Sequence, residues 1–127
     1  MKLNLKKPII FFDLETTGTN IMHDRIVELS YIKVYPDGKE EEKTRRLNPE
    51  MPIPFQASRV NGITDNMVKE SPVFEVVFKE FMDFVGNAVL VGHNIHTFDM
   101  KFLYRDADKF WNQTLDNDYI DTLQIAR

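Results

Sequence analysis

Hydrophobic and polar positions change period several times along this chain, and each change marks an element. Residues 8–15, Pro8-Ile9-Ile10-Phe11-Phe12-Asp13-Leu14-Glu15, begin as an apolar run and end in alternation, which predicts a buried strand. Thr16 to Asp24 is a polar loop containing Gly18. Residues 26–35 are apolar on both faces apart from Glu28, Ser30 and Lys33, so a second strand follows. Pro36-Asp37-Gly38-Lys39 predicts a hairpin turn, because Pro presets φ and Gly accepts a positive one. Residues 40–47 form a charged third strand suited to a sheet edge, with Glu40, Glu41, Glu42, Lys43, Arg45 and Arg46 on its solvated surface. An antiparallel meander is the plain reading of these three segments.

Residues 49–55, with three prolines, read as irregular, and Val60-Asn61-Gly62-Ile63-Thr64 reads as a turn. Thr64 or Asp65 is placed to cap a short helix over residues 66–69. Ser71-Pro72 is expected to open the clearest helix, with Ser71 as N-cap. Phe74, Val77, Phe78, Phe81 and Val85 recur at helical spacing as one core-facing stripe, and Gly86 stops it. Residues 88–92 form a short buried strand, parallel to the first because a helix connects back to it. Residues 93–98 turn into a helix reaching about Trp111. Tyr119-Ile120-Asp121 is a last strand, and Thr122 begins a one-turn helix without a C-cap signal. Helices that short are marginal alone, so residues 1–127 read as one domain lacking its C-terminal helices.

Composition narrows the possibilities. With 127 residues, 43% of them hydrophobic, the chain is long and apolar enough for a real core. A formal net charge of −4 argues against broad phosphate-tracking nucleic-acid binding. It leaves room for a nuclease, since a bound metal brings its own positive charge to a phosphate. The absence of cysteine excludes disulfides and zinc–thiolate sites. No long apolar run spans a membrane and Met1-Lys2-Leu3-Asn4 opens no signal peptide, so a cytoplasmic location is expected.

The candidate chemistry sits at the end of the first strand. Asp13 and Glu15 are spaced i, i+2 and therefore share a face, with Leu14 on the other. Their Cα atoms lie roughly 6.5 Å apart at strand rise. Two carboxylates so close repel each other, and a hard cation with oxygen ligands, Mg²⁺ or Mn²⁺, relieves them. The competing reading has one carboxylate in solvent and the other capping the Thr16-Thr17-Gly18 turn. A second acidic element is Asn94-Ile95-His96-Thr97-Phe98-Asp99, where a strand gives way to a helix. Phe102 and Leu103 follow Asp99 at i+3 and i+4, so its helical face approaches the core. Alone, Asp99 reads as a helix-dipole partner and Asn94 as a turn former. Glu28 reads as a buried salt-bridge or hydrogen-bond residue, His23 as exposed, His93 as a structural histidine and His96 as a loop residue.

Together these segments carry a resemblance. Phe12-Asp13-Leu14-Glu15-Thr16-Thr17-Gly18 resembles the first motif of the DEDD 3′→5′ exonucleases, and Asn94 to Asp99 is similar to their second, Asn-x-x-x-(Phe/Tyr)-Asp. Asp24 to Leu29, Gly62-Ile63-Thr64 and Asp121-Thr122-Leu123 also fall where that family has similar stretches, and the proofreading exonucleases of bacterial DNA polymerase III are the nearest group. The resemblance implies an α/β, RNase H-like fold: a mixed sheet of an antiparallel three-strand meander plus parallel strands, flanked by helices. It implies hydrolysis of phosphodiester bonds at the 3′ end of single-stranded DNA, releasing nucleoside monophosphates, with two divalent cations, Mg²⁺ or Mn²⁺. Asp13 would bridge both cations, Glu15 would ligate the first, and Asp99 would contact the second, partly through water. One cation would lower the pKa of the attacking water and the other would stabilise the leaving 3′ oxygen. Leu14, Thr16 and Thr17 would line the terminal nucleotide, with Asn61, Asn94 and Phe98 near it. A DNA polymerase catalytic subunit is an expected partner.

Two departures qualify the likeness. The family's third motif, a general-base His or Tyr with a fourth metal-binding Asp, should follow Asp121-Thr122-Leu123 by some tens of residues, and the sequence stops at Arg127. Tyr104 and Asp108 have the spacing of that motif, but Tyr104 lies five residues past Asp99, roughly 140° around the same helix. In this shortened chain Asp121 is a candidate substitute ligand, although a structural hydrogen bond is its plainer role. The second departure is Asn61, where many polymerase-associated members carry His before Gly-Ile-Thr. Two rival functions follow: an exoribonuclease trimming RNA ends, or a non-catalytic nucleic-acid or protein binding module.

Overall fold

A hairpin turn sets the first half of the sheet. Tyr35 N–H donates to Lys39 O at 2.8 Å, and Gly38 N–H to Tyr35 O at 2.9 Å, with Gly38 at φ 90°. That tight return makes neighbours of β2 (Ile26–Val34) and β3 (Glu40–Arg46), and β2 also pairs antiparallel with β1 (Ile9–Thr16). The computed structural model describes residues 6–92, 100–112, 115 and 117–121, the last segment's 119 and 121 by backbone alone. Beyond the meander, β4 (Val89–Gly92) pairs parallel with β1, and β5 (Tyr119–Asp121) parallel with β4. The sheet order is β3-β2-β1-β4-β5. The mixed sheet expected from the sequence is therefore the one observed, with the charged β3 at an edge.

Four helices are described: α1 (Phe55–Asn61), α2 (Asp65–Val68), α3 (Phe74–Val85) and α4 (Met100–Trp111). The α3 stripe is the one read from the sequence: Phe74, Val77, Phe78, Phe81 and Val85 are all buried. They meet Ile10, Phe12 and Leu14 of β1, Leu29 and Tyr31 of β2, and Phe102, Leu103 and Ala107 of α4. Phe81 sits edge-on to Tyr31 at 5.1 Å, and Phe74 stacks on Phe78 at 5.1 Å. Burying each such side chain contributes roughly 1.5–3 kcal/mol, which makes this layer the main stabilising contact of the fold. A second cluster of Val27, Ile53, Ile63 and Val68 holds α1 and α2 to the start of β2.

The structure corrects three local expectations. Residues 55–61 are helical rather than part of an irregular stretch and a turn. No α1 residue is buried, so the segment has no apolar period to read; Gly62 ends it at φ 74°, its N–H donating to Ser58 O at 2.7 Å. Ser71 is not an N-cap. Helix α3 starts at Phe74 from an extended Val73, because Pro72 O is already committed to Asn48 N–H at 2.9 Å. Of the two candidate caps of α2, Thr64 is the N-cap, without a side-chain cap hydrogen bond, while Asp65 is the first helical residue and its carboxylate accepts Ile53 N–H at 2.8 Å. The helix expected from Thr122, and the segment from His93 to Asp99, lie outside the described residues.

Strand alternation assigns the faces. Ile10, Phe12 and Leu14 point into the helical layer, while Phe11, Asp13 and Glu15 occupy the other side of β1, with Phe11 42% exposed. The two carboxylates thus project from the more open face of a strand whose other face is locked into the core.

Candidate active site

Asp13 and Glu15 stand at the carboxyl end of β1, where ligands commonly bind in α/β sheets. In the β1–β2 register Asp13 lies opposite Ser30, and Glu15 opposite Glu28. Three carboxylates therefore share one sheet face. Arg46 of β3 approaches Glu28 at 3.4 Å, so Glu28 makes the expected salt bridge but at a partly exposed position rather than a buried one. Glu15 is half-buried, and its carboxyl is pushed above its ordinary value by burial, then by Asp13 and Glu28. The register slips between Glu15 and Thr16, an irregularity of the kind that re-aims side chains at a strand end.

A cavity of about 220 Å³ opens beside this pair, lined by Leu14, Glu15, Thr16, Gly18, Thr19, Ala57, Val60 and Asn61. It brings together three of the expected nucleotide contacts, Leu14, Thr16 and Asn61, with Glu15. Asn61 is anchored by its amide, which donates to Thr16 O at 3.3 Å and accepts Ile63 N–H at 3.0 Å. Ala57 and Val60 were not candidates in the sequence; α1 carries them there, and Val60 is 87% exposed. Gly62 just past Asn61 closes α1 in the left-handed region, a position that in the sequence fits a turn as well as a helix C-terminus.

Thr17 is placed differently from its expected role. Its side chain is 1% exposed and does not line the cavity. The hydroxyl donates to Asp24 Oδ1 at 2.9 Å and accepts Arg25 N–H at 3.0 Å. The other oxygen of Asp24 accepts Asn20 N–H at 2.8 Å. Buried Asp24, read in the sequence as part of a family-like stretch, is thus the hub of the loop that follows β1.

Asn94, Phe98 and Asp99, with His93 and His96, lie outside the described residues. His23 is exposed, as expected. The backbone of Asp121 pairs with Gly92 at the end of β4. Among the described residues no group of three metal-ligating side chains is assembled. Asp13 and Glu15 are a two-member set of hard oxygen donors; burial first, then the neighbouring Asp13 charge, disfavours the ionised Glu15, and the donor set suits a hard divalent cation. A larger cavity, about 580 Å³, lies between the loop and α4, with His23, Arg25, Arg105 and Lys109 among its lining. It has no carboxylate in its wall, whereas Glu15 lines the smaller cavity.

A family profile described as Exonuclease matches residues 10–127. The chain is 34% identical over 124 residues to a DNA polymerase III of PolC type from Caldanaerobacter subterraneus subsp. tengcongensis, covering 98% of this chain and 9% of the relative. It is 37% identical over 123 residues to the PolC-type polymerase of Halalkalibacterium halodurans, covering 97% and 8% respectively. The chain thus spans less than a tenth of the length of these relatives. E. coli Exonuclease I in complex with a 5cy-dA13 oligonucleotide superposes with a TM-score of 0.78 at 19% identity, over 95% of this chain and 29% of the other. A product-bound exonuclease I gives the same score over 96% and 31%. At that identity the likeness speaks for the fold, and it agrees with the mixed sheet described above. The profile match over nearly the whole chain, with relatives above 30% identity along it, makes this chain a member of the exonuclease family.

Proposed function

We propose that this chain is a metal-dependent 3′→5′ exonuclease domain acting on the 3′ end of single-stranded DNA and releasing nucleoside monophosphates. The observation that carries the reading is the placement of Asp13 and Glu15 on one face at the end of β1, with Glu15 in the wall of the 220 Å³ cavity. Asp13 and Glu15 hold Mg²⁺ or Mn²⁺ in this reading, with Asp99 as a third carboxylate. Cations held there would supply an activated water and charge compensation at the leaving 3′ oxygen.

The chain's own residues do the rest. Leu14, Ala57 and Val60 give the cavity an apolar wall that accepts any base without reading its edge, as an unspecific exonuclease needs. Thr16 donates its hydroxyl to Gly18 O at 2.6 Å and so fixes the rim of the loop beside the terminal sugar. Asn61 ties α1 to that rim through Thr16 O. Asn94 and Phe98 complete the nucleotide contacts, and Thr17 serves them by holding the loop. The PolC-type relatives support a setting beside a DNA polymerase, and the oligonucleotide complexes of Exonuclease I support single-stranded DNA as substrate.

The test is degradation of a 5′-labelled single-stranded DNA with Mg²⁺ and then Mn²⁺, beside the Asp13→Ala variant and a matched RNA. A ladder shortening from the 3′ end, absent in the variant and slower on RNA, is the expected result. A ladder that persists in Asp13→Ala would overturn the metal assignment, and a preference for RNA would overturn the substrate.

A further inference from the structure

We propose that Arg105 is a positioning residue for the nucleotide cavity, a latch that fixes the loop after β1 to helix α4. This rests on the exonuclease reading and adds to it a residue that touches neither metal nor substrate. The latch begins with a fork. Arg105 Nε donates to Asp106 Oδ1 at 2.7 Å and its Nη2 to Oδ2 at 3.0 Å, and the side chain of Asp106 is 2% exposed. The remaining nitrogen, Nη1, reaches across to the loop, donating to Ile21 O at 2.9 Å and to Asp24 O. All three guanidinium nitrogens are thus engaged, and the planar fork is held in one orientation.

The loop passes that constraint on to the cavity. Asp24 gives its backbone carbonyl to Arg105 and its carboxylate to Thr17 and Asn20. Thr17 N–H and hydroxyl both bond the Arg25 backbone, closing the loop onto β2. Gly18 packs against the Asp24 carboxylate so closely that a Cβ there would lie 2.4 Å from Oδ2. Thr16, Gly18 and Thr19, at the near end of this loop, line the cavity beside Glu15. A chain of contacts therefore runs from α4 through Arg105 and Asp24 to the rim of the cavity. The residues it joins are far apart in sequence, and α4 follows directly after the second acidic motif, so the latch links the two motif-bearing regions of the chain.

Removing Arg105 alone would leave Asp106 buried without its partner and threaten folding. The informative variant is Arg105→Met/Asp106→Leu, which removes both members of the buried pair at similar volume, beside Arg105→Lys, which keeps a cation for Asp106 but cannot span to both carbonyls. The readouts are the urea midpoint, the amide resonances of Gly18 and Thr19, and binding of thymidine 5′-monophosphate with Mn²⁺. The expected result is a midpoint near that of the unsubstituted chain, displaced Gly18 and Thr19 resonances, and nucleotide binding weakened by about tenfold or more, with Arg105→Lys intermediate. Unchanged nucleotide binding in a folded double variant would overturn the latch. If the double variant does not fold, Arg105→Lys decides, and binding equal to the unsubstituted chain would again overturn it. If the unsubstituted chain binds no nucleotide with Mn²⁺, the exonuclease reading itself fails, and the latch with it.

Discussion

Replacing Gly18 by alanine puts the loop after β1 to a direct test. A Cβ at this position would lie 2.4 Å from Asp24 Oδ2 and 2.8 Å from its Cγ. Ordinary contact requires the carboxylate to retreat by about 1 Å, since packed carbon and oxygen atoms rest roughly 3.5 Å apart. The carboxylate has no slack, because it accepts Thr17 Oγ1 at 2.9 Å and Asn20 N–H at 2.8 Å, and such a shift breaks both bonds. Hydrogen bonds to a charged group contribute about 1.5–3 kcal/mol each, so the expected loss is about 3–6 kcal/mol. That is a large share of the roughly 6–19 kcal/mol available to a domain of this length. Urea unfolding of Gly18→Ala measures it. A cycle with Asp24→Ala isolates the cause: that variant removes the three atoms nearest the new Cβ, and the cost of alanine at position 18 should fall below about 1 kcal/mol. An equal cost in both backgrounds would falsify the steric account.

The remaining expectations use other parts of the structure. Burial and the adjacent Asp13 hold the Glu15 carboxyl above its ordinary value of 4.5, so the folded chain binds more protons than the unfolded one just above that pH. Its contribution to metal-free stability is therefore full below the ordinary value and lost as pH rises through the raised one. Urea midpoints in EDTA should fall across that window, and Glu15→Gln should flatten the fall; an identical slope in the variant refutes the assignment. Phe81→Ala, at a fully buried position against Tyr31, should cost about 3–5 kcal/mol in a chemical melt, and a loss under 1 kcal/mol would show that the helical layer is not the main core. Gly62 holds φ 74°, so Gly62→Ala should cost about 1–2 kcal/mol and Gly62→Asn less, a ranking that equilibrium unfolding checks directly.

Elements that bury a periodic face were legible in the sequence. The α3 stripe from Phe74 to Val85, the alternation of β1 and the turn at Gly38 are each imposed by contacts within a few residues or by one face meeting the core. The same alternation put Asp13 and Glu15 together on one face, so half of the candidate site was legible before any fold was known. Helix α1 was not, because it buries no residue and leaves no apolar period. The role of Thr17 was not either: a threonine in a polar loop reads as surface, and only the return of Asp24 and Arg25 to its hydroxyl turns it inward. Arg105 carries no local sequence signal, since its bonds to Ile21 and Asp24 span more than eighty residues. Local periodicity records what each segment must bury. Which distant carbonyl satisfies a guanidinium, and which carboxylates meet across β1 and β2, is decided only when the folded sheet and helices bring those groups within bonding distance.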